Sequence, residues 1–430
     1  MNDITDWLRE NIDPLRTIDP ETADYEQLKP LREIVGDARV VAIGESTHRV
    51  HEFYQIRHLI TRFLVDELGF TGFAMESGFP EGWAVNDWVL GGEGDLDELL
   101  RTGITYHMGH CAEMRDQLVW MREHNRTHER KIRFYGMDIP DSSASARPAV
   151  EAALSFLDKA DPPYAAAVRD RLLPLFDYLP TDRTGLAWPA PTIQAYLALD
   201  TTHRNELTAR ITELAERLQA LGVPYSTVDP ERAGIALQCA ITARHANAFL
   251  ANIADAAHRT YGGANVRDAA MADNVNWILD REERIVLSAA NGHVQRWPCR
   301  VPPIINEDQV VLGQHLARSL GDDLVVIATT YNGGRMFVHR PIPDGPPGHT
   351  EIFFEDVAPF TEPNSLDVLV AGAAEPLALL DLCKVPPTGP IADRFAQIDC
   401  TMQGAYRQLV DPLVGFDAVV HLDRVSPWQY

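Results

Sequence analysis

Short, almost wholly apolar runs rich in β-branched residues recur along this sequence, separated by stretches whose apolar positions return every three or four residues. Val40-Val41-Ala42-Ile43-Gly44, Phe73-Ala74-Met75, Ile132-Arg133-Phe134-Tyr135, Ile285-Val286-Leu287 and Leu324-Val325-Val326-Ile327 each read as a strand. Runs this short and apolar suit parallel strands covered by helices on both faces. Between the first two, Phe53, Ile56, Ile60, Phe63 and Leu64 keep helical spacing and stop at Gly69, which predicts a parallel strand-helix-strand unit. A second helix, ending near Trp120 and Asn125, precedes the third strand.

From about residue 146 to 279 the strand pattern vanishes. Leu207, Ile211, Leu214, Leu218 and Leu221 form a stripe with 4-3-4-3 spacing that ends at Gly222 and Pro224, so this region is expected to be a helical insertion. The expected fold is therefore α/β: a mostly parallel central sheet flanked by helices, with a helical insertion domain over the cleft. The expected segments are an N-terminal helical arm at 1–36, the first part of the core at 37–145, the insertion at 146–279, the second part of the core at 280–345, and a C-terminal segment at 346–430. That last segment completes the core and holds a strand at Ala418-Val419-Val420.

With 430 residues, 45% of them apolar, the chain can bury a large core. No apolar run approaches the roughly 20 residues that span a bilayer. The start, MNDITDWLRE, lacks the basic-then-apolar layout of a secretory signal, so a cytoplasmic protein is expected. The five cysteines are scattered and never form a C-x-x-C pair, which suggests neither a disulfide framework nor a structural zinc. A formal charge of −24 would repel nucleic acid and anionic membranes. The partner expected is a small-molecule substrate, with amine-bearing ones favoured by that acidity; the same acidity also serves solubility alone. A monomer or homodimer is expected.

Ligands of an open parallel sheet bind beyond the carboxyl ends of its strands. Here the first strand is followed by Gly44-Glu45-Ser46-Thr47-His48, the second by Glu76-Ser77-Gly78, the third by Gly136-Met137-Asp138, and the fourth by Asn291-Gly292-His293. Single polar residues at strand ends are commonly caps, but four ends converging on one rim point to a site. Arg57 falls within the apolar stripe of its helix, so its guanidinium is expected to pair with Glu45 or Glu76 in a buried network, either catalytic or a purely structural ion pair.

These residues resemble the erythromycin esterase family, with G-E-S-T-H at Gly44 to His48, followed by Glu52-Phe53 and Arg57. The likeness continues through Ala74-Met75-Glu76, Trp120 to Asn125, Phe134 to Asp138, Arg267 to Asn274, Ala290-Asn291-Gly292-His293, and Gly313-Gln314-His315-Leu316, roughly residues 38 to 335. The resemblance implies an α/β core with a helical domain over the cleft and metal-independent, cofactor-free ester hydrolysis, typified by macrolide lactones. It places the general base on His48, acidic partners on Glu45 and Glu76, arginines on Arg57 and Arg267, and a further histidine on His293. Substrate contacts are expected from Arg267, Asn291, Asp138, Ser46, His110 and Glu113. One position departs: where the family commonly has histidine before the asparagine, this chain has Ala290.

No G-x-S-x-G elbow occurs, so water is the expected nucleophile. The positive end of the helix after His48, with Arg57, is expected to favour neutral imidazole. Arg57, Arg267 and His293 are expected at the developing oxyanion. The insertion is expected to wall the cleft, with His245 and Asn247 as pocket-facing candidates. Three other readings remain open: a metal site using Glu45, His48, Glu76 and His293, with His107 and His110 as a second histidine pair; a binding protein without turnover; and cyclisation or group transfer from the same base, which Ala290 keeps in view.

Overall fold

Every apolar run singled out in the sequence becomes a strand of one sheet. The structure, a computed structural model, describes residues 2–180, 190–255, 262–341, 350–404 and 406–430. Strands β1 (Ile12–Pro14), β2 (Val40–Glu45), β3 (Gly72–Gly78), β4 (Arg133–Asp138), β5 (Ile285–Ala290), β6 (Leu324–Tyr331), β7 (Leu377–Asp381) and β8 (Ala418–Leu422) lie in the order β1-β7-β8-β6-β2-β5-β3-β4. From β8 to β4 all neighbours are parallel, and β7 runs antiparallel to both β8 and β1.

Alternation along the strands divides the core into two layers. Val41, Ile43, Phe73 and Met75 face one side, with helix α1 (His51–Leu68) packed on them through Ile56, Leu59, Ile60 and Phe63. Val40, Ala42, Ala74 and Leu287 face the other. Helix α2 (Ala112–Thr127) shares the first layer through Met114, Leu118 and Met121.

The insertion builds a third apolar cluster from α3 (Arg147–Ala160), α4 (Thr201–Ala220) and α5 (Pro230–Ala254). The expected stripe Leu207, Ile211, Leu214 and Leu218 is buried there against Ala236, Ala240 and Ala243, whose small side chains let two helix backbones approach. The cluster includes Phe79 and Ile139, the residues directly after β3 and β4, so the insertion docks at the carboxyl end of the sheet. Helix α6 (Gly263–Leu279) then returns along the second layer on Met271, Val275 and Ile278, and its second turn, with Arg267 and Asp268, lies at the rim.

The pocket-facing expectation for His245 and Asn247 is corrected. Asn247 lies inside the insertion, donating to Thr208 Oγ1 at 2.8 Å, and His245 bonds Asp273 at 3.3 Å on its surface. Among its described residues the insertion brings α6 to the cleft, through Arg267 and Asp268. Three antiparallel ribbons that the sequence did not reveal wall much of the rest: Cys299–Val301 with Ile305–Gln309, Gly334–Pro341 with Thr350–Val357, and Cys400–Gln403 with Tyr406–Leu409. Among the described residues no helix is long and apolar enough to cross a membrane.

Strand order locates the cleft. From β2 the chain crosses through α1 past β5 to β3. From β5 it crosses through α7 (Leu312–Leu320), on the opposite face, past β2 to β6. The two connections part between β2 and β5, opening a crevice at their carboxyl ends. There Gly44 is required by close approach: a Cβ would stand 2.2 Å from Asn291 Oδ1 and 2.9 Å from a Val294 methyl. Gly44→Ala is expected to reduce unfolding free energy by about 1–3 kcal/mol through overpacking, measured by urea denaturation.

Candidate active site

Three strand ends and the second turn of α6 supply one connected charge cluster. Arg267 Nη2 donates to Glu76 Oε1 at 2.8 Å and to Asp138 Oδ2 at 2.5 Å, while its Nε donates to both Asp138 oxygens at 3.0 and 3.1 Å. Glu76 Oε2 accepts the Ala290 N–H at 2.9 Å, fastening β3 to β5. Asp268, one residue along α6, accepts from His293 Nδ1 at 2.7 Å and from the Leu312 N–H at 2.8 Å. Burial would raise the Glu76 carboxyl, but His293, Arg267 and His48 together hold it well below the ordinary range.

His293 stands between carboxylates, with Nε2 3.4 Å from Glu76 Oε1. Burial would lower its pKa; Asp268 and Glu76 outweigh burial and bring it up to about 10. The Arg267 Nη1 contact to Nε2 at 3.1 Å is a hydrogen bond only for a ring neutral at that atom. Three carboxylates against one guanidinium leave the cluster short of positive charge, so the imidazolium is the favoured form, sharing Glu76 with Arg267.

Beside the cluster, His48 Nδ1 bonds Glu45 Oε1 at 2.5 Å, which leaves Nε2 to face the cleft. The Glu45 side chain is 9% exposed and that of His48 35%, so the carboxylate is fixed while the ring meets solvent. The expectation of a ring biased toward neutrality is corrected. Burial does lower its pKa, but Glu45, with a smaller contribution from Glu76, raises it above the ordinary histidine value, and Arg49 opposes them.

Several expected residues lie elsewhere. Arg57 is buried, as its place in the apolar stripe required, yet it pairs with neither Glu45 nor Glu76 among the described residues. Its Nε and Nη2 donate to Gln117 Oε1 at 3.1 and 3.0 Å, and the guanidinium lies 3.9 Å over the Tyr54 ring. The stripe faces the core beneath the rim, so an amide and ring faces satisfy this cation. Ser46 and Asn291 are also turned inward: Asn291 Nδ2 donates to Ser46 Oγ at 3.1 Å and to the Thr329 carbonyl at 2.8 Å, locking β2, β5 and β6 together. Glu113 bonds His51 and accepts the Gln429 N–H at 3.0 Å, outside the cleft. His110 stacks on His107 with ring centroids 4.8 Å apart and borders a separate surface hollow with Tyr430. None of Ser46, Asn291, His110 and Glu113 reaches the cleft as a substrate contact.

The cleft, a cavity of about 400 Å³, is lined by His48, Glu76, Arg267 and His293 together with residues the sequence reading passed over. Tyr106 donates to Asp138 Oδ2 at 3.0 Å, and burial first, then Asp138, raises its phenol well above the ordinary value, so it remains protonated. Asp268 adjoins Arg267, and that adjacency was the available signal; Arg49 adjoins His48 in the same way. Phe337, Val301, Ile305 and Val311 add apolar lining. Among the described residues no group of three or more His, Cys, Asp and Glu side chains is arranged to hold a metal ion.

The sequence profile of the erythromycin esterase family matches residues 65–425. The chain belongs to the erythromycin esterase family. Erythromycin esterase type II of Escherichia coli is 30% identical over 342 residues, covering 76% of this chain and 77% of that enzyme. Erythromycin esterase type I of Escherichia coli is 24% identical over 344 residues, covering 78% and 80%. Two solved structures share the fold: a Bacillus cereus protein at TM-score 0.80 and 23% identity, covering 100% of this chain and 98% of that one, and an erythromycin esterase EreC mutant in its open conformation at TM-score 0.78 and 19% identity, covering 97% and 98%. Family membership makes the chain an esterase-like hydrolase.

The cluster carries a pH signature. The folded pKa of His293, about 10, lies above the ordinary 6.5, so its contribution to stability is complete below about pH 6.5 and is lost as pH rises through 10. Urea midpoints are expected to fall between pH 7 and pH 10 in the parent protein, and His293→Gln to flatten that fall while lowering the midpoint at pH 7.

Proposed function

We propose that the protein hydrolyses an ester or lactone of a small-molecule natural product, with His48 as general base. The observation that carries this is the Glu45–His48 pair at the carboxyl end of β2, bonded through Nδ1 with Nε2 toward the cleft. Nε2 takes a proton from water as its oxygen attacks the carbonyl carbon, and the resulting imidazolium returns that proton to the leaving alkoxide as the tetrahedral intermediate collapses. Glu45 holds the ring in the tautomer this needs and stabilises its charged form. His293, as an imidazolium held by Asp268, faces the oxyanion; Arg267, already bound to two carboxylates, contributes mainly by holding Glu76 and Asp138 in place.

The relatives' names specify erythromycin. For this chain slow macrolide turnover is proposed, because Ala290 removes a side-chain proton carrier or oxyanion donor, and one such donor is worth about 3 kcal/mol. His107 and His110 do not line the cleft and supply no replacement. This favours a second reading, in which a nucleophile tethered in the substrate is deprotonated by His48 and closes a ring, since orientation then supplies part of the rate.

A panel of esters and lactones, including erythromycin, analysed by mass spectrometry separates these readings: hydrolysis adds one water, cyclisation adds none, and a ligand recovered unchanged marks binding alone. His48→Gln is expected to lose about 10²-fold or more in kcat. Near-parental turnover by that folded variant removes His48 from the mechanism. The rate should fall with acid as His48 protonates, on a limb above the ordinary histidine value, and Glu45→Gln should move that limb to lower pH.

Ala290→His is expected to raise hydrolysis of simple lactones. An unchanged rate would show that the missing ring is not the limitation.

A further inference from the structure

Two arginines line the cleft, and they differ in what balances their charge. Arg267 has Glu76 and Asp138. Arg49, 5% exposed, has no carboxylate within ion-pair distance among the described residues. Its Nη2 donates to the Tyr106 carbonyl at 3.0 Å, and its guanidinium lies 4.3 Å from the Phe337 ring centre and 5.4 Å from that of Trp428. Burial lowers its pKa first, and the groups that oppose this are Tyr54, Tyr430 and Cys111 rather than any carboxylate. Arginine keeps its proton even when buried, so this is a desolvated cation without a counter-ion. Arg57, held likewise by an amide and a ring, is sealed in the core, whereas Arg49 opens on the cleft, where an anion can reach it.

The geometry also selects the anion. Two aromatic rings lie against the guanidinium, and one edge N–H is held by Tyr106, so further binding uses the remaining in-plane N–H groups. A planar carboxylate matches such an edge with paired hydrogen bonds. Met108, Val301, Ile305, Val311 and Phe337, which line the same cleft, suit an apolar chain attached to it.

We infer that Arg49 anchors a carboxylate on the substrate, so that the ester or lactone taken by this cleft is an acidic molecule. The inference rests on the cleft being the substrate site proposed above, and it runs against the amine-bearing substrate that overall charge suggests. That charge is a property of the whole chain, whereas Arg49 is the local field where the ligand sits.

Isothermal titration with 4-phenylbutyrate and its neutral amide, 4-phenylbutyramide, tests the anchor without turnover. The parent protein is expected to bind the acid about 10-fold or more tightly than the amide, as a charge-assisted bond requires. Arg49→Met should abolish that preference while leaving amide binding near parental. Arg49→Lys, which keeps the charge and loses the fork, should reduce it several-fold and decides the matter if the Met variant does not fold. Equal affinity for the two probes, no binding of the acid, or a preference that survives both substitutions overturns the inference. The same titration on His48→Gln separates the two proposals. An acid preference intact there, beside hydrolysis that never depended on His48, leaves the anchor standing and removes the base.

Discussion

The rest of the site depends on one buried cation, Arg267, which has to be matched by carboxylates drawn from different parts of the sheet. Its guanidinium holds Glu76 at the end of β3 and Asp138 at the end of β4. Glu76 in turn takes the Ala290 N–H on β5, and Asp268 takes both His293 and the start of α7. Removing either carboxylate of Arg267 would strand charge away from water, a penalty of several kcal/mol for a buried pair. The insertion's last helix is thus tied to the rim by electrostatics as well as by the apolar packing of Met271, Val275 and Ile278.

This bookkeeping of charge separates structural from chemical roles. Glu76 is fully engaged, its oxygens shared among Arg267, His293 and a backbone amide, so it has little basicity to offer. Glu45 supports the one histidine whose second nitrogen remains open to the cleft. Arg49 has no paired carboxylate among the described residues. A cluster, a dyad and a lone cation therefore stand side by side on one rim, with rising freedom to respond to a ligand.

The parallel sheet was legible because burial on both faces leaves an unmistakable mark: all six runs read as strands lie in it. Strand β1, three residues ending in proline, carries too little pattern to read; β7 has an apolar run that was not singled out, and the cleft's ribbons are partly polar and two of the three are short. At the site, Glu45, His48, Glu76, Asp138, Arg267 and His293 were found from position at strand ends and from family likeness. Arg57 was placed correctly inside and paired wrongly, because a helical wheel gives the direction of a side chain but not the height at which it meets the sheet. The roles of Ser46 and Asn291 were hidden for a related reason: at a strand end, a polar side chain that locks neighbouring strands looks the same in sequence as one that meets substrate.

Backbone strain marks the same rim. Arg49 at φ 65°, Tyr106 and His107 at 57° and 56°, and Asp141, Ser142 and Ser143 at 57°, 53° and 65° all occupy the left-handed region without being glycine. Each such residue costs of order 1 kcal/mol or more, and glycine would avoid that cost. Their side chains explain why glycine does not serve. Ser142 Oγ accepts the Tyr106 N–H and Ser143 Oγ meets the Tyr106 hydroxyl, so the strained turn after β4 holds the strained turn that carries Tyr106. Tyr106 then gives its hydroxyl to Asp138 and its carbonyl to Arg49. One tyrosine thus joins the compensated cluster to Arg49, and of the strained residues Arg49 and Tyr106 line the cleft while Ser142 and Ser143 hold Tyr106 in place.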